Sequence, residues 1–327
     1  MNDPVTVIIP AYNEESAIGP VVDQVAQVMN DAGVQHEIVV VDDGSEDRTC
    51  AIAQEHGAQV VRHEKNRGYG AALKSGVRAA QYDVLAMTDA DGTYPIERIP
   101  DLLDELQSAD LAVGARVSLN VDIPVVRRPA KWMLRRLAEY ITSERIPDLN
   151  SGMRAFRRPL IEHYLDILPD KFSFTTTQTV ALLCDSHKVV SVPIDYFHRV
   201  GKSKIVPWDF VSFVILVLRL SMLFNPLKVF VPIALGCFFL GGIKLILDII
   251  FTILKNDELT FMILAQPIVS STTLILLLSG LQILLVGMVS DALTRRIGHR
   301  MSSTPTTRSE QRVGKQTSRV EHGEFVD

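Results

Sequence analysis

Asp83-Val84-Leu85-Ala86-Met87-Thr88-Asp89-Ala90-Asp91-Gly92 is an apolar run that ends in two carboxylates one residue apart and a glycine, with Pro95 close behind. A short run of strand-forming residues closed by a Gly/Pro turn predicts a buried strand. Its carboxyl end delivers Asp89 and Asp91 together, a pairing that suits Mg²⁺ or Mn²⁺. These hard cations take one or two carboxylates plus the oxygens of a bound diphosphate. An Asp-x-Asp pair also occurs in plain solvated turns, so the surrounding chain has to decide between the two.

Working outward, similar apolar runs at Val5 to Ile9, Glu37 to Val41, Ala58 to Arg62 and Asp110 to Val113 alternate with amphipathic stretches. That alternation predicts right-handed βαβ units and an α/β fold with a mostly parallel sheet. Ligands of such open sheets bind outside the carboxyl ends of the strands. Four polar sets fall there: Pro10-Ala11-Tyr12-Asn13-Glu14-Glu15, Asp42-Asp43-Gly44-Ser45, Asn66-Arg67-Gly68-Tyr69-Gly70 and Asp89-Ala90-Asp91. Tyr12 can face a base or ribose, Glu14 and Asp42 can accept hydrogen bonds from nucleoside donors, and Gly68 and Gly70 permit close backbone approach. Singly, each has a structural alternative: Asn13 or Ser16 as a helix cap, Asp43 to Asp47 as a turn and cap, Gly68 and Gly70 as a loop entering a helix over Ala71 to Ala80. Four such sets at one sheet edge favour a binding site.

The 327 residues are 47% apolar, enough to bury a full core, and the apolar content is concentrated late. Lys228 to Lys255 and Pro267 to Val289 each exceed the ~20 residues needed to cross a bilayer as a helix. Lys244 and Asp248 interrupt the first stretch but stand four apart, where they can pair. The connector Asn256-Asp257-Glu258 carries no Lys or Arg, whereas Lys202, Lys204, Arg219 and Lys228 precede the hairpin and Arg295, Arg296 and Arg300 follow it. The positive-inside bias therefore places both termini in the cytoplasm. Met1 leads straight into the first strand, so no cleavable signal peptide is expected. Cys50, Cys184 and Cys237 lack metal-type spacing and suit a reducing compartment. The net charge of −5 says little about partners, and nucleic acid is not expected among them.

Taken together, Val7-Ile8-Ile9-Pro10-Ala11-Tyr12-Asn13-Glu14-Glu15, Val40-Val41-Asp42-Asp43-Gly44-Ser45 with Asp47-Arg48-Thr49, Asn66-Arg67-Gly68 and Asp89-Ala90-Asp91-Gly92 closely resemble family 2 glycosyltransferases with the GT-A (Rossmann-like) fold. Val113-Gly114-Ala115-Arg116, Asn150-Ser151-Gly152-Met153-Arg154-Ala155-Phe156 and Arg199-Val200-Gly201-Lys202-Ser203-Lys204 resemble the polyprenyl-phosphate branch, the dolichol-phosphate mannose synthase-like enzymes. The resemblance covers roughly residues 4 to 205. It implies that Pro10, Tyr12, Glu14, Asp42 and Gly68 hold the nucleoside and that Asp89 and Asp91 place Mg²⁺ or Mn²⁺ on the diphosphate. It further implies that Arg116, Arg199, Ser203 and Lys204, with Ser151, meet phosphates of donor or acceptor, and that transfer inverts C1. Some relatives carry Gln two positions after the second metal Asp. Thr93 stands there in this chain, as a shorter neutral oxygen ligand or none.

Two segments suit a lipid acceptor. In Pro129 to Ile141, Ala130, Met133, Leu134, Leu137, Tyr140 and Ile141 recur at helical spacing, with Arg128, Lys131 and Arg135 opposite. A basic amphipathic helix of this kind lies in the headgroup plane, with packing against the sheet as its alternative. Trp208 to Phe224 reads as a second interfacial helix. The expected organisation is a GT-A domain over 1–205, an interfacial helix over 206–226, a membrane hairpin over 227–292 with spans near 228–254 and 267–290, and a polar cytoplasmic tail over 293–327.

The expected activity is transfer of a hexose from a UDP- or GDP-linked donor to a polyprenyl phosphate at the cytoplasmic face of the membrane, with a flippase acting on the product and a homo-oligomer compatible with the chain. A lipid monophosphate is already anionic, so positioning replaces deprotonation. A hydroxyl acceptor such as diacylglycerol would instead need a base, for which Asp148 is the candidate. A processive polysaccharide synthase is disfavoured by the absence of a Gln-x-x-Arg-Trp motif. A non-catalytic nucleotide-binding scaffold is disfavoured by the intact Asp89 and Asp91.

Overall fold

The computed structural model describes residues 3–117, 128–171, 173–197, 221–222, 224–255 and 269–302. The five expected strands are present as β1 (Val5–Ala11), β2 (His36–Asp42), β3 (Gln59–Arg62), β4 (Val84–Met87) and β5 (Leu111–Arg116). Two more join them, β6 (Arg154–Arg157) and β7 (Val189–Ile194), in the order β3-β2-β1-β4-β6-β5-β7. All pairings are parallel except those of β6, which runs antiparallel between β4 and β5. Pro193 is tolerated because β7 is an edge strand.

Helices cover both faces, as a parallel sheet requires. On one face Ile18, Val22, Val25 and Met29 of α1 (Ile18–Asp31) and Ile99, Leu102 and Leu103 of α4 (Ile99–Glu105) pack with Val5, Val7 and Ile9. Between these in the chain come α2 (Thr49–Glu55) and α3 (Tyr69–Ala79). Ala72, Leu73 and Val77 of α3 bury Ile8, Val39 and Val41 on the other face, together with Phe174, Ala181 and Leu182 of α7 (Phe174–Cys184). The amphipathic segment forms α5 (Arg128–Thr142), followed by the short α6 (Arg158–Glu162). Ala138 and Ile141 of α5 pack with Ile146, Leu149 and Val180. Of the face expected in the headgroup plane, Ile141 is thus turned onto protein while Tyr140 is exposed.

The chain divides into two compact units at Phe224/Asn225. The expected boundary near 205, most of the second interfacial segment and the Arg199–Lys204 motif lie outside the described residues. In the second unit α8 (Pro226–Lys255) and α9 (Ser271–Ser302) are long apolar helices. Their apolar windows, Pro226–Ile253 and Ser271–Thr294, are only 11% and 17% buried within the protein. Core helices of a soluble fold would be covered; these suit a lipid solvent. Lys244 and Asp248 pair across one turn of α8, and Asp248 also accepts from the Ser270 N–H at 3.1 Å and the Thr273 hydroxyl at 2.7 Å. The described part of α9 begins at Ser271. Residues 293–302, expected in the polar tail, continue α9.

Candidate active site

The β1–β4 ladder ends at Ile8↔Met87, two residues before Pro10, which has no N–H to extend it. Successive connections leave β1 toward β2 and β3 on one side, while β4 and its neighbours lie on the other. The strands therefore part at a topological switch point, where open α/β sheets bind ligands. Tyr12, Asn13 and Glu14 follow β1 into this crevice. Asn13 adopts a left-handed conformation with φ 54°, and the Asn13 and Glu14 N–H groups donate to Ser45 Oγ and Thr49 Oγ1, both at 2.9 Å. The Glu46 N–H returns a bond to Asn13 Oδ1 at 2.9 Å. Asn13 thus laces two loops together, while α1 has Ala17 at its N-cap position and no side-chain cap.

Adjacent acids at the end of β2 have divided roles. Asp43 is buried and holds the Arg67 and Gly68 N–H groups at 2.9 and 2.8 Å and His63 Nδ1 at 2.6 Å, bracing the 66–68 loop. Asp42 is fully buried, and its Oδ1 accepts the Ser45 N–H at 2.9 Å. Arg62 Nε forms an ion pair with Asp42 Oδ2 at 3.2 Å, and this buried oxygen accepts no hydrogen bond among the described residues. A buried acceptor left unsatisfied is costly, and a donor from a bound base or ribose would relieve it. Gly68 and Gly70 also let two stretches of the chain approach each other. A Cβ at Gly68 would meet Asp170 O at 2.6 Å and one at Gly70 would meet Pro169 O at 2.1 Å, so on that side the missing side chains make room for the 169–171 backbone.

Asp89 and Asp91 follow β4. The Tyr69 hydroxyl donates to Asp89 Oδ1 at 2.8 Å. From another side the Gly152 backbone closes in, so that a Cβ there would stand 2.7 to 2.9 Å from the Asp89 carboxylate. Asp91 is buried, and its Oδ1 accepts the Thr93 hydroxyl at 2.6 Å and the Thr93 N–H at 3.2 Å. Two adjacent hard oxygen donors at a strand end fit Mg²⁺ or Mn²⁺ if a diphosphate completes the shell. Among the described residues no cluster of three or more acidic, His or Cys side chains makes a closed cage.

Behind the carboxylates stands a polar framework whose Tyr94 and Tyr196 no motif had singled out. The Gly152 N–H donates to the Tyr94 hydroxyl at 2.7 Å. Tyr94 meets Tyr196 edge-on at 5.4 Å, and the Arg116 guanidinium sits 5.1 Å from the Tyr196 ring centre. Burial, with Asp89 nearby, raises the pKa of both Tyr69 and Tyr94, so they stay neutral. Arg154 is fully buried and ties the 149–152 turn, with Nε on Ser151 O at 2.7 Å, Nη2 on Leu149 O at 3.1 Å and Nη1 on Thr179 Oγ1 at 2.7 Å. Burial lowers its pKa to about 10. Its sequence signal was its place in the 150–156 motif, which carried no sign of this buried role.

Arg116 and Ser151, both expected at a phosphate, have protein partners of their own. Arg116 places Nε and Nη2 on Asp148 at 2.6 and 3.0 Å, and its backbone N–H on the same carboxylate at 3.1 Å. Burial alone would raise the Asp148 pKa, but the bonds and charge of Arg116 outweigh it and hold the carboxyl below the usual range. Ser151 is fully buried, and its hydroxyl accepts the Met153 N–H at 3.4 Å, shaping the turn. Arg128 and Lys131 lie on α5, their side chains outside the described set. Arg199, Ser203 and Lys204 lie outside it altogether.

Comparison with known proteins gives this architecture a family. The model for glycosyl transferase family 2 matches residues 6–165. The chain is 32% identical over 208 residues to a dolichyl-phosphate hexose transferase of Haloferax volcanii, covering 63% of this chain and 88% of that protein. The chain belongs to glycosyltransferase family 2. An undecaprenyl-phosphate mannosyltransferase of Micrococcus luteus is 29% identical over 214 residues, 61% of this chain and 86% of that one. The GtrB C-terminal hairpin model matches residues 225–296, which takes in α8 and most of α9. Glucosyl-3-phosphoglycerate synthase from Mycobacterium tuberculosis, solved with Mn²⁺, UDP and glucosyl-3-phosphoglycerate, superposes with a TM-score of 0.53 at 23% identity, covering 67% of this chain and 80% of that one. That likeness confirms the GT-A fold. This member of family 2 is a glycosyltransferase that carries two membrane-compatible helices after its GT-A domain.

Proposed function

We propose that the enzyme transfers a hexose from a UDP- or GDP-linked donor to a polyprenyl phosphate at the cytoplasmic membrane face, with inversion at C1. One observation carries the choice of acceptor class. Asp148, the base that a hydroxyl acceptor would need, is held ionised in a bidentate pair with Arg116. A depressed pKa makes it a poor proton acceptor. A phosphate oxygen needs no deprotonation, and the names of the relatives support the same acceptor.

In this reading Pro10, Tyr12 and Glu14 line the nucleoside, and Asp42 Oδ2 takes a donor from it. Asp89 and Asp91 would hold Mg²⁺ or Mn²⁺, which supplies charge stabilisation for the departing nucleoside diphosphate. Arg116 fixes Asp148 and the edge of the site. Arg128, Lys131, Arg199, Ser203 and Lys204 supply donors and positive charge for the acceptor phosphate. As the phosphate oxygen bonds to C1, the C1–O bond to the nucleoside diphosphate breaks, and no proton has to be removed from the acceptor. The test is a screen of radiolabelled UDP- and GDP-hexoses against undecaprenyl phosphate and diacylglycerol with purified full-length protein. Label in the phospholipid acceptor alone is the expected result. Label in diacylglycerol alone would overturn the assignment.

A further inference from the structure

The two carboxylates after β4 share a local arrangement: each receives a neutral hydroxyl on its Oδ1, from Tyr69 at 2.8 Å and from Thr93 at 2.6 Å. We propose that Tyr69 and Thr93 are positioning residues that set the rotation of Asp89 and Asp91 for a divalent cation, an inference that rests on the metal reading above. The donors come from separate parts of the fold. Tyr69 is the first residue of α3, and the preceding Gly68 N–H is anchored on Asp43 at 2.8 Å. Thr93 is fully buried and adds its own N–H to the same Asp91 oxygen.

A neutral donor suits this task because it orients a carboxylate without cancelling the charge a cation needs, whereas Lys or Arg would compete with the cation. The Gly152 backbone limits Asp89 further, leaving no room for a Cβ. Partners of this kind, which orient a metal ligand without touching the metal, typically carry a 10–100-fold share of affinity. The Thr93 position thereby acquires a role through Asp91 in place of a direct ligand.

The test uses purified full-length wild type, Tyr69→Phe, Thr93→Val, Thr93→Ser and Asp91→Ala. Free Mn²⁺ is followed by electron paramagnetic resonance during titration with UDP or GDP present, whichever the wild type binds more tightly. Tyr69→Phe and Thr93→Val should each weaken Mn²⁺ binding by about 10–100-fold. Thr93→Ser, which keeps the hydroxyl, should stay near wild type, and nucleotide affinity in EDTA and melting temperature should change little. Unchanged Mn²⁺ affinity in both Tyr69→Phe and Thr93→Val, with loss in Asp91→Ala, would overturn the positioning role alone. So would losses matched by equal losses of nucleotide binding in EDTA. A wild type that binds no Mn²⁺ with either nucleotide would overturn the metal reading, and the positioning role with it.

Discussion

Asp89 is where α3, through Tyr69, and the 149–152 turn, through Gly152, converge. Its closeness to Gly152 makes one substitution diagnostic. Gly152→Ala adds a single carbon that would lie 2.7 to 2.9 Å from the Asp89 carboxylate. Displacing a reacting group by about an ångström can cost on the order of 10²-fold in rate, so activity should fall by that order while the melting temperature moves by only a few degrees. Unaltered kcat would show that Asp89 need not hold its place. Asp148 carries a different prediction. Its pKa is depressed below 3.8 in the folded protein, so the stabilisation it contributes is complete above 3.8 and is lost as pH falls through the lower, folded value. Asp148→Asn breaks a largely buried pair and should cost on the order of 3 kcal/mol at neutral pH. The gap to wild type should then narrow in acid, as thermal unfolding from pH 7 to below 3.8 would reveal. Asp89 and Asp91 were legible because they end an apolar strand. Tyr69 and Tyr94 were not, because they act on groups 20 and 58 positions away in the sequence, and no local pattern encodes such pairings.

Strands β1 to β5 were readable from apolar runs between amphipathic stretches. β6 was hidden because it is four residues long with Arg at each end, and its buried Arg154 relies in part on the Thr179 hydroxyl 25 positions away. In α5 the periodicity was right and its meaning incomplete: the helix forms, but Ala138 and Ile141 face protein, while Trp132 and Tyr140 stay exposed and Arg136 sits 5.8 Å from the Trp132 ring centre. Amphipathic spacing is the same whether protein or lipid covers the apolar face. Arg135 and Arg136 also share Glu139 at 3.8 and 3.5 Å, which tempers their charge. If α5 meets the anionic lipid, replacing Arg128, Lys131 and Arg135 with Gln should raise the KM for lipid phosphate more than that for the nucleotide sugar, by a margin that shrinks at high salt. Equal increases for both substrates would assign the helix to structure alone.

At the scale of the molecule, a glycosyltransferase domain is joined to helices whose apolar surfaces remain largely uncovered. The distribution of Lys and Arg about the hairpin predicts that residues near Asp257 lie across the membrane, with the GT-A domain and Arg308 cytoplasmic. With Cys50, Cys184 and Cys237 replaced, a cysteine at Asp257 should react with a membrane-impermeant thiol reagent in intact cells, and cysteines at Asp47 and Arg308 should not. Labelling at Asp47 or Arg308 would reverse the orientation. In the proposed orientation the product forms on the cytoplasmic side, and a flippase must follow wherever the sugar is used outside. The central claim is tested most directly by mass spectrometry of lipids after purified wild type and Asp91→Ala are incubated with Mn²⁺, UDP- or GDP-hexoses and undecaprenyl phosphate. Wild type should yield undecaprenyl phosphate heavier by one hexosyl group and Asp91→Ala should yield none; equal product from both, or no glycosylated polyprenyl phosphate with any hexose donor, would contradict the account.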